Sequence, residues 1–243
     1  MRIRYVSGPT AILELAGLRL LTDPTFDEPG HYAVGSGLTK TAGPGVALDE
    51  IGPIDAVLLS HDQHPDNLDT SGRKLLDSVP LVLSTQSAAD RIGVTVLPNW
   101  AETQLGPLTI IGVPAVHGPP GTEHLVGEVT GFVLRGDGLP TVYVSGDNAS
   151  LDVVREIAGR IGRVDVALLF AGGARTPLIP GADLTLNSRD AAEAARILGA
   201  GHVVPLHFEH WTHFTQGRET LAEPFAGHGG VHVLTPGEHV DVG

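Results

Sequence analysis

The sequence predicts an α/β protein built on a parallel or mixed sheet, and three observations carry the prediction. Apolar runs of five to seven residues at 55–59, 164–170 and 202–206 are bounded by Pro, Gly or polar residues, the pattern of buried strands. Between them lie helical stretches at 151–161 and 187–198, the second Ala-rich, amphipathic and stopped by Gly199 and Gly201. The chain also carries 32 Gly and 18 Pro in 243 residues, which calls for many turns and short elements rather than a long bundle.

In chain order, 2–6, 11–15 and 18–22 read as an N-terminal β-meander that stops at Asp23-Pro24, where Pro cannot continue a ladder. Residues 26–52 are Gly- and Pro-rich with weak periodicity, which suits a lid or binding loop; His31 and Tyr32 within it are candidates to reach a site. After the strand at 55–59, residues 70–78 read as a helix capped by Thr70 or Ser71, 81–84 as a strand and 87–92 as a helical turn. Strands follow at 94–97, 103–105 and 108–113, then 129–135 and 141–145 joined by Gly136-Asp137-Gly138. The run VDVALLF at 164–170 echoes IDAVLLS at 54–60, a weak sign of two related halves. A helix near 217–225 and a last strand at 231–234 complete the pattern. No linker or change in composition divides the chain, so one domain over 1–243 is expected.

Hydrophobic residues make up 42% and charged ones 18%, enough apolar material for a substantial core. The formal charge is 15 − 28 = −13 with no Lys/Arg-rich run, the wrong sign for a phosphate-backbone binder, so no nucleic-acid partner is expected. With no Cys, disulfides, thiolate nucleophiles and Cys-ligated zinc are excluded. The first residues lack the apolar core of a signal peptide, and no apolar run approaches the roughly 20 residues of a membrane span. A cytoplasmic protein acting on a small molecule is the expectation, with homo-oligomerisation left open.

Chemistry concentrates where strands end. Ser60-His61-Asp62-Gln63-His64-Pro65-Asp66-Asn67-Leu68-Asp69 brings two imidazoles and three carboxylates to the end of one apolar run. His117, Asp147 and His207 each follow another. Any one of them has an ordinary structural reading; Asp147, for instance, is well placed to cap the helix at 151. A parallel or mixed sheet, however, sets the loops at one end of its strands side by side. Four such loops, all offering N or O ligands, point to a metal site of His61, His64, Asp66, His117, Asp147 and His207. Mixed imidazole and carboxylate ligands suit Zn first, then Mn or Fe, better than Ca or Mg.

This ordered set resembles the metallo-β-lactamase superfamily, and within it the branch of the sugar-acid-phosphate lactonases and the N-acyl-phosphatidylethanolamine phospholipase D. The resemblance spans Leu21-Thr22-Asp23-Pro24, the His/Asp motif, His117, Tyr143-Val144-Ser145-Gly146-Asp147 and Val204-Pro205-Leu206-His207. It implies an αββα sandwich of two mixed β-sheets flanked by helices, and two metals sharing Asp147, with His117 and His207 serving different ions. It also implies that Asp23 steadies a ligand His from behind.

The family motif reads His-any-His-any-Asp-His, and this chain departs from it. Aligned on His64 and Asp66, Asp62 takes the first His position; aligned on His61, Gln63 takes the second and one extra residue precedes Asp66. The preferred reading is a one-residue bulge that lets both His61 and His64 point inward. Asn67 replaces an imidazole either way, so one or two divalent ions remain open. The expected activity is a metal-dependent hydrolase that turns a metal-bound hydroxide of lowered pKa on a lactone, ester or phosphodiester. Asp66 is the candidate to orient or deprotonate the nucleophile and His213 the candidate acid, with His210 and Trp211 as further lining candidates. The absence of a basic cluster tilts the reading towards carboxylic esters or lactones. The alternative is a non-catalytic metal- or ligand-binding member with a degenerate site.

Overall fold

The computed structural model describes residues 1–34 and 37–243; Gly35 and Ser36, inside the expected lid segment, lie outside the described residues. The N-terminal meander is β1 (Arg2–Ser7), β2 (Thr10–Leu15) and β3 (Leu18–Thr22), followed by a hairpin of β4 (Gly30–Tyr32) and β5 (Leu38–Lys40) and then by β6 (Ala56–Leu58). Next come α1 (Thr70–Leu75), β7 (Leu81–Ser84), α2 (Gln86–Ile92), β8 (Thr95–Val96), β9 (Glu102–Leu105), β10 (Leu108–Pro114) and α3 (Glu123–Val126). The chain ends with β11 (Thr130–Arg135), β12 (Val142–Val144), α4 (Leu151–Ile161), β13 (Val166–Phe170), α5 (Ser188–Leu198), β14 (His202–Leu206), α6 (Arg218–Leu221) and β15 (His239–Asp241).

Two mixed sheets result, ordered β15-β1-β2-β3-β6-β7-β8 and β14-β13-β12-β11-β10-β9. In the first, β3, β6, β7 and β8 run parallel. In the second, β12, β13 and β14 do. Alternation along β13 shows how the layers form. Val166, Leu168 and Phe170 enter the core between the sheets, with Tyr5, Leu13, Leu20 and Leu58 of the other sheet. Ala167 and Leu169 face outward, under α4 and α5. The outer face of the first sheet is covered by Leu68, Leu75, Leu76 and Ile92 around α1 and α2. The architecture is therefore an αββα sandwich.

Several expectations need correction. Residues 231–234 do not form a strand. Val203 donates to Gly230 O and accepts from His232 N, both at 2.8 Å, but the next donor on that edge of β14 would be Pro205, which has no N–H. The ladder stops after one bridge, and the last strand is β15, paired with β1. The helix expected at 217–225 is shortened to α6, followed by turns. Residues 26–52 contain the β4–β5 hairpin, tied down at Lys40 by a bridge to Trp211. The cap of α1 is Asp69, whose side chain accepts from Gly72 N, rather than Thr70 or Ser71.

Candidate metal centre

The strands β6, β10, β12 and β14 each run into a loop at the same end of the sandwich. The first loop begins with Ser60, where a buried hydrogen-bond chain sets the neighbouring imidazole. Ser60 N and Oγ both donate to Asp23, each at 2.6 Å, and the Ser60 hydroxyl lies 3.0 Å from His61 Nδ1. Because the hydroxyl proton is committed to Asp23, Ser60 accepts from His61 Nδ1–H, which leaves Nε2 with its lone pair. Asp23 thus acts on His61 through Ser60, not by direct contact. Its carboxyl is pushed up to about 7 by burial, which outweighs the donors from Ser60 and Asn67.

His61 and His64 both turn inward, with His61 Nε2 2.8 Å from His64 Nδ1. Asp62 does not: it forms a forked ion pair with Arg91 of α2, directed away from the cavity. His117 donates Nδ1–H to Leu184 O at 2.8 Å, so its Nε2 is the free nitrogen, and it stands 3.8 Å from Asp147 Oδ2. Asp147 caps nothing; Ser150 caps α4. His207 Nε2 lies 3.3 Å from Asp66 Oδ2 and 3.4 Å from Asp147 Oδ1. His213 Nε2 lies 3.0 Å from Asp66 Oδ2.

Asn67 turns its amide nitrogen to two carboxylates and leaves Oδ1 buried without a partner. Its Nδ2 donates to Asp23 Oδ2 and Asp147 Oδ1, both at 3.1 Å, and two carboxylate acceptors orient the amide this way round. The backbone around the site is strained: Asp23, His207 and His210 have φ of +23°, +54° and +76°. His207 is held in this conformation by its N–H bond to Gly8 O at 2.7 Å.

The electrostatics divide the candidate ligands in two. Burial first, then neighbouring imidazoles, hold His61 well below its ordinary pKa and lower His64 as well, so both are neutral donors. On the other side burial would depress His207, but the carboxylates of Asp147 and Asp66 raise it to about 10. Asp66 and Asp147 are both lowered; burial opposes this, and the imidazoles beside them prevail. The point between Asp66, Asp147 and His207 therefore attracts positive charge strongly.

These residues fit a divalent cation. His61, His64, His117 and Asp147 each offer an atom within 4.8 Å of the others, and so do Asp66, Asp147 and His207. Two ligand atoms about 2.0–2.2 Å from one ion at tetrahedral angles stand roughly 3.3–3.6 Å apart, close to the separations around His207. His117 Nε2, His207 Nε2 and Asp66 Oδ1 are buried without a hydrogen-bond partner, an arrangement that costs free energy unless something else satisfies them.

The cavity over these residues has a volume of about 240 Å³ and is lined by His64, Asp66, His117, Asp147 and His213. His210 instead bonds Ser7 at 3.2 Å, and Trp211 packs on Tyr32. Neither lines the cavity, and nor do His31 and Tyr32; Val34 and Leu38 of the same segment do. Sequence reasoning missed Ser60, Leu184 and the apolar wall. Only Ser60, inside the motif, carried a local signal.

Two candidate ligand groups sharing one carboxylate, at the loop end of an αββα sandwich, fit the metallo-β-lactamase fold class. The family model described as the beta-lactamase superfamily domain matches residues 18–208, and the chain belongs to that family. A UPF0173 metal-dependent hydrolase of Anaeromyxobacter sp. (strain K) is 30% identical over 240 residues, covering 92% of this chain and 80% of that one. The structure is similar to that of an isothiocyanate hydrolase from Delia radicum gut bacteria, with TM-score 0.84, 22% identity and 99% of both chains covered. It is also similar to a possible metal-dependent hydrolase from Veillonella parvula DSM 2008, with TM-score 0.87, 16% identity and coverage of 100% and 99%. The protein is a member of a family of metal-dependent hydrolases. Among the described residues, no helix is long and apolar enough to cross a membrane.

Proposed function

We propose that the protein hydrolyses a small ester or lactone at a binuclear centre, Zn being the first candidate ion. The observation that carries this reading is the sharing of Asp147 between the two ligand groups. His61, His64 and His117 would hold one ion as neutral nitrogen donors, Asp66 and His207 the other, and Asp147 would join them. Bound there, divalent ions supply a water nucleophile of lowered pKa and a Lewis acid for the substrate carbonyl oxygen.

The chain's own residues do the rest. Asp66 keeps Oδ1 without a protein partner, so that oxygen would be free to accept from the nucleophilic water, while Oδ2 faces His207 and His213. His213 borders the cavity beside Asp66, in position to carry a proton to the departing alkoxide. Asn67 and the Ser60–Asp23 pair hold Asp147 and His61 in place, so the ligands need little rearrangement. The apolar walls limit the water around the reacting bond.

The test is metal content by elemental mass spectrometry on protein purified without chelators. With two ligand groups, about two equivalents are expected, falling to near zero in Asp147→Ala and to about one in His207→Ala. Protein that holds no metal and takes none up would overturn the hydrolase reading in favour of a binding role.

A further inference from the structure

Among the described residues, three large apolar side chains stand exposed: Val34 (44%), Leu125 (44%) and Leu178 (53%). They come from three separate segments: the β4–β5 connection, α3 and the loop after Ala174. All three line the cavity over the metal ligands, and Val126 and Leu184 continue the apolar wall inward. Exposed apolar side chains are costly when gathered in one place, and gathering them at a cavity mouth marks a contact made by function.

Charge points the same way. Among the described residues, no Lys or Arg lines the cavity. Arg175 lies beside it in sequence, but its Nε is paired with Asp183 Oδ1 at 2.7 Å. Lys40 is fully buried against Asp69. Among the described residues, an anionic substrate would thus find no side-chain cation other than histidine. At about 240 Å³ the space lies below the roughly 300–1,000 Å³ of pockets for drug-sized ligands, so the ligand is small.

We propose that the site selects uncharged acyl substrates with a short apolar tail, the tail lying against Val34, Leu125 and Leu178. The proposal rests on the hydrolase reading above and names its substrate class. Water alone balances the reaction. Its oxygen bonds to the acyl carbon, the acyl C–O bond breaks, and the proton lost by water leaves on the alcohol.

The test has a binding arm and a turnover arm, both on the metal-loaded protein. The binding arm uses calorimetric titration with unbranched primary amides of increasing chain length, which resist hydrolysis, and with the same amides carrying a terminal carboxylate on the tail. Affinity is expected to rise by about fourfold per methylene until the wall is filled. The terminal carboxylate should abolish that gain, and Leu125→Ser with Leu178→Ser should flatten the series. A flat wild-type series, or tighter binding of the carboxylate forms, overturns the proposal.

The turnover arm measures kcat/KM on neutral p-nitrophenyl esters of the same chain lengths. A graded amide series with no turnover of these esters, nor of lactones bearing the same alkyl tails assayed alongside them, would uphold the apolar subsite and sink the hydrolase reading. Ester turnover indifferent to chain length would do the reverse. Sedimentation at several concentrations guards against a last alternative. If a dimer forms and dissolves in the Leu178→Ser variant while the amide series stays flat, the rim is a contact with a second copy and the proposal falls.

Discussion

At the scale of single residues, the site is organised by donors and acceptors that leave one another few choices. Asn67 places both amide hydrogens between Asp23 and Asp147, at 3.1 Å each. Replacing it with Asp would set three buried carboxylates together. Asn67→Asp is therefore expected to destabilise the chelated protein by about 1–3 kcal/mol at pH 8, read by urea unfolding. Asn67→His should also lower metal content if the amide serves a working site; a gain in metal and activity would mean a decayed one. His213 offers a different test. It sits at the cavity wall with Nε2 on Asp66, and His213→Gln should lower kcat by roughly 10²–10⁴-fold while metal content stays unchanged. An unaltered rate would remove it from proton transfer.

At the scale of elements, the ion pair of Lys40 and Asp69 joins the β4–β5 hairpin to the loop that carries His61, His64 and Asp66. Both side chains are fully buried and stand 3.2 Å apart. Asp69 also accepts from Gly72 N and Asp27 N, so it caps α1 and anchors the hairpin at once. Removing one partner of a buried pair leaves the other uncompensated. Asp69→Asn is expected to cost about 3–5 kcal/mol in urea unfolding. Lys40→Met should cost less, because Asp69 keeps its backbone donors. The opposite ranking would show that those donors do not compensate it, and no cost in either variant that the hairpin does not depend on this pair. The helix α1 is packed so tightly that a Cβ on Gly72 would lie 1.9 Å from Pro24 O, which is why glycine occurs inside this short helix.

At the scale of the whole molecule, the site is assembled from both sheets, and its charge couples folding to pH. His207 has a native pKa raised to about 10 by Asp147 and Asp66, against burial, while unfolded His titrates near 6.5. The native state holds this proton more tightly than the unfolded chain does. The stability it contributes is therefore complete below about pH 6.5 and is lost as pH rises through 10. In chelated protein the stability difference between wild type and His207→Gln should shrink across that window. A divalent ion competes with the same proton, so its stabilising effect should grow with pH. Urea unfolding from pH 6 to 10, with and without added zinc, measures both trends; a difference that widens with pH would contradict the first.

The sequence by itself determined the strand-and-loop frame, the helices at 151–161 and 187–198, and the residue types offered at four strand ends. These signals are local: apolar periodicity, capping residues and Gly or Pro stops act over a few neighbours. The last strand was illegible because β15 is three residues long on a sheet edge, whereas 231–234 had the right composition but faced Pro205. Only the tertiary structure decided that Asp62 turns to Arg91 while His61 and His64 turn inward. Only it decided that Asn67 serves the carboxylates on either side, and that Val34, Leu125 and Leu178 meet at one mouth. Those outcomes depend on where a side chain points and on segments about 30 to 140 residues apart, which the packing of two sheets settles and no local pattern records.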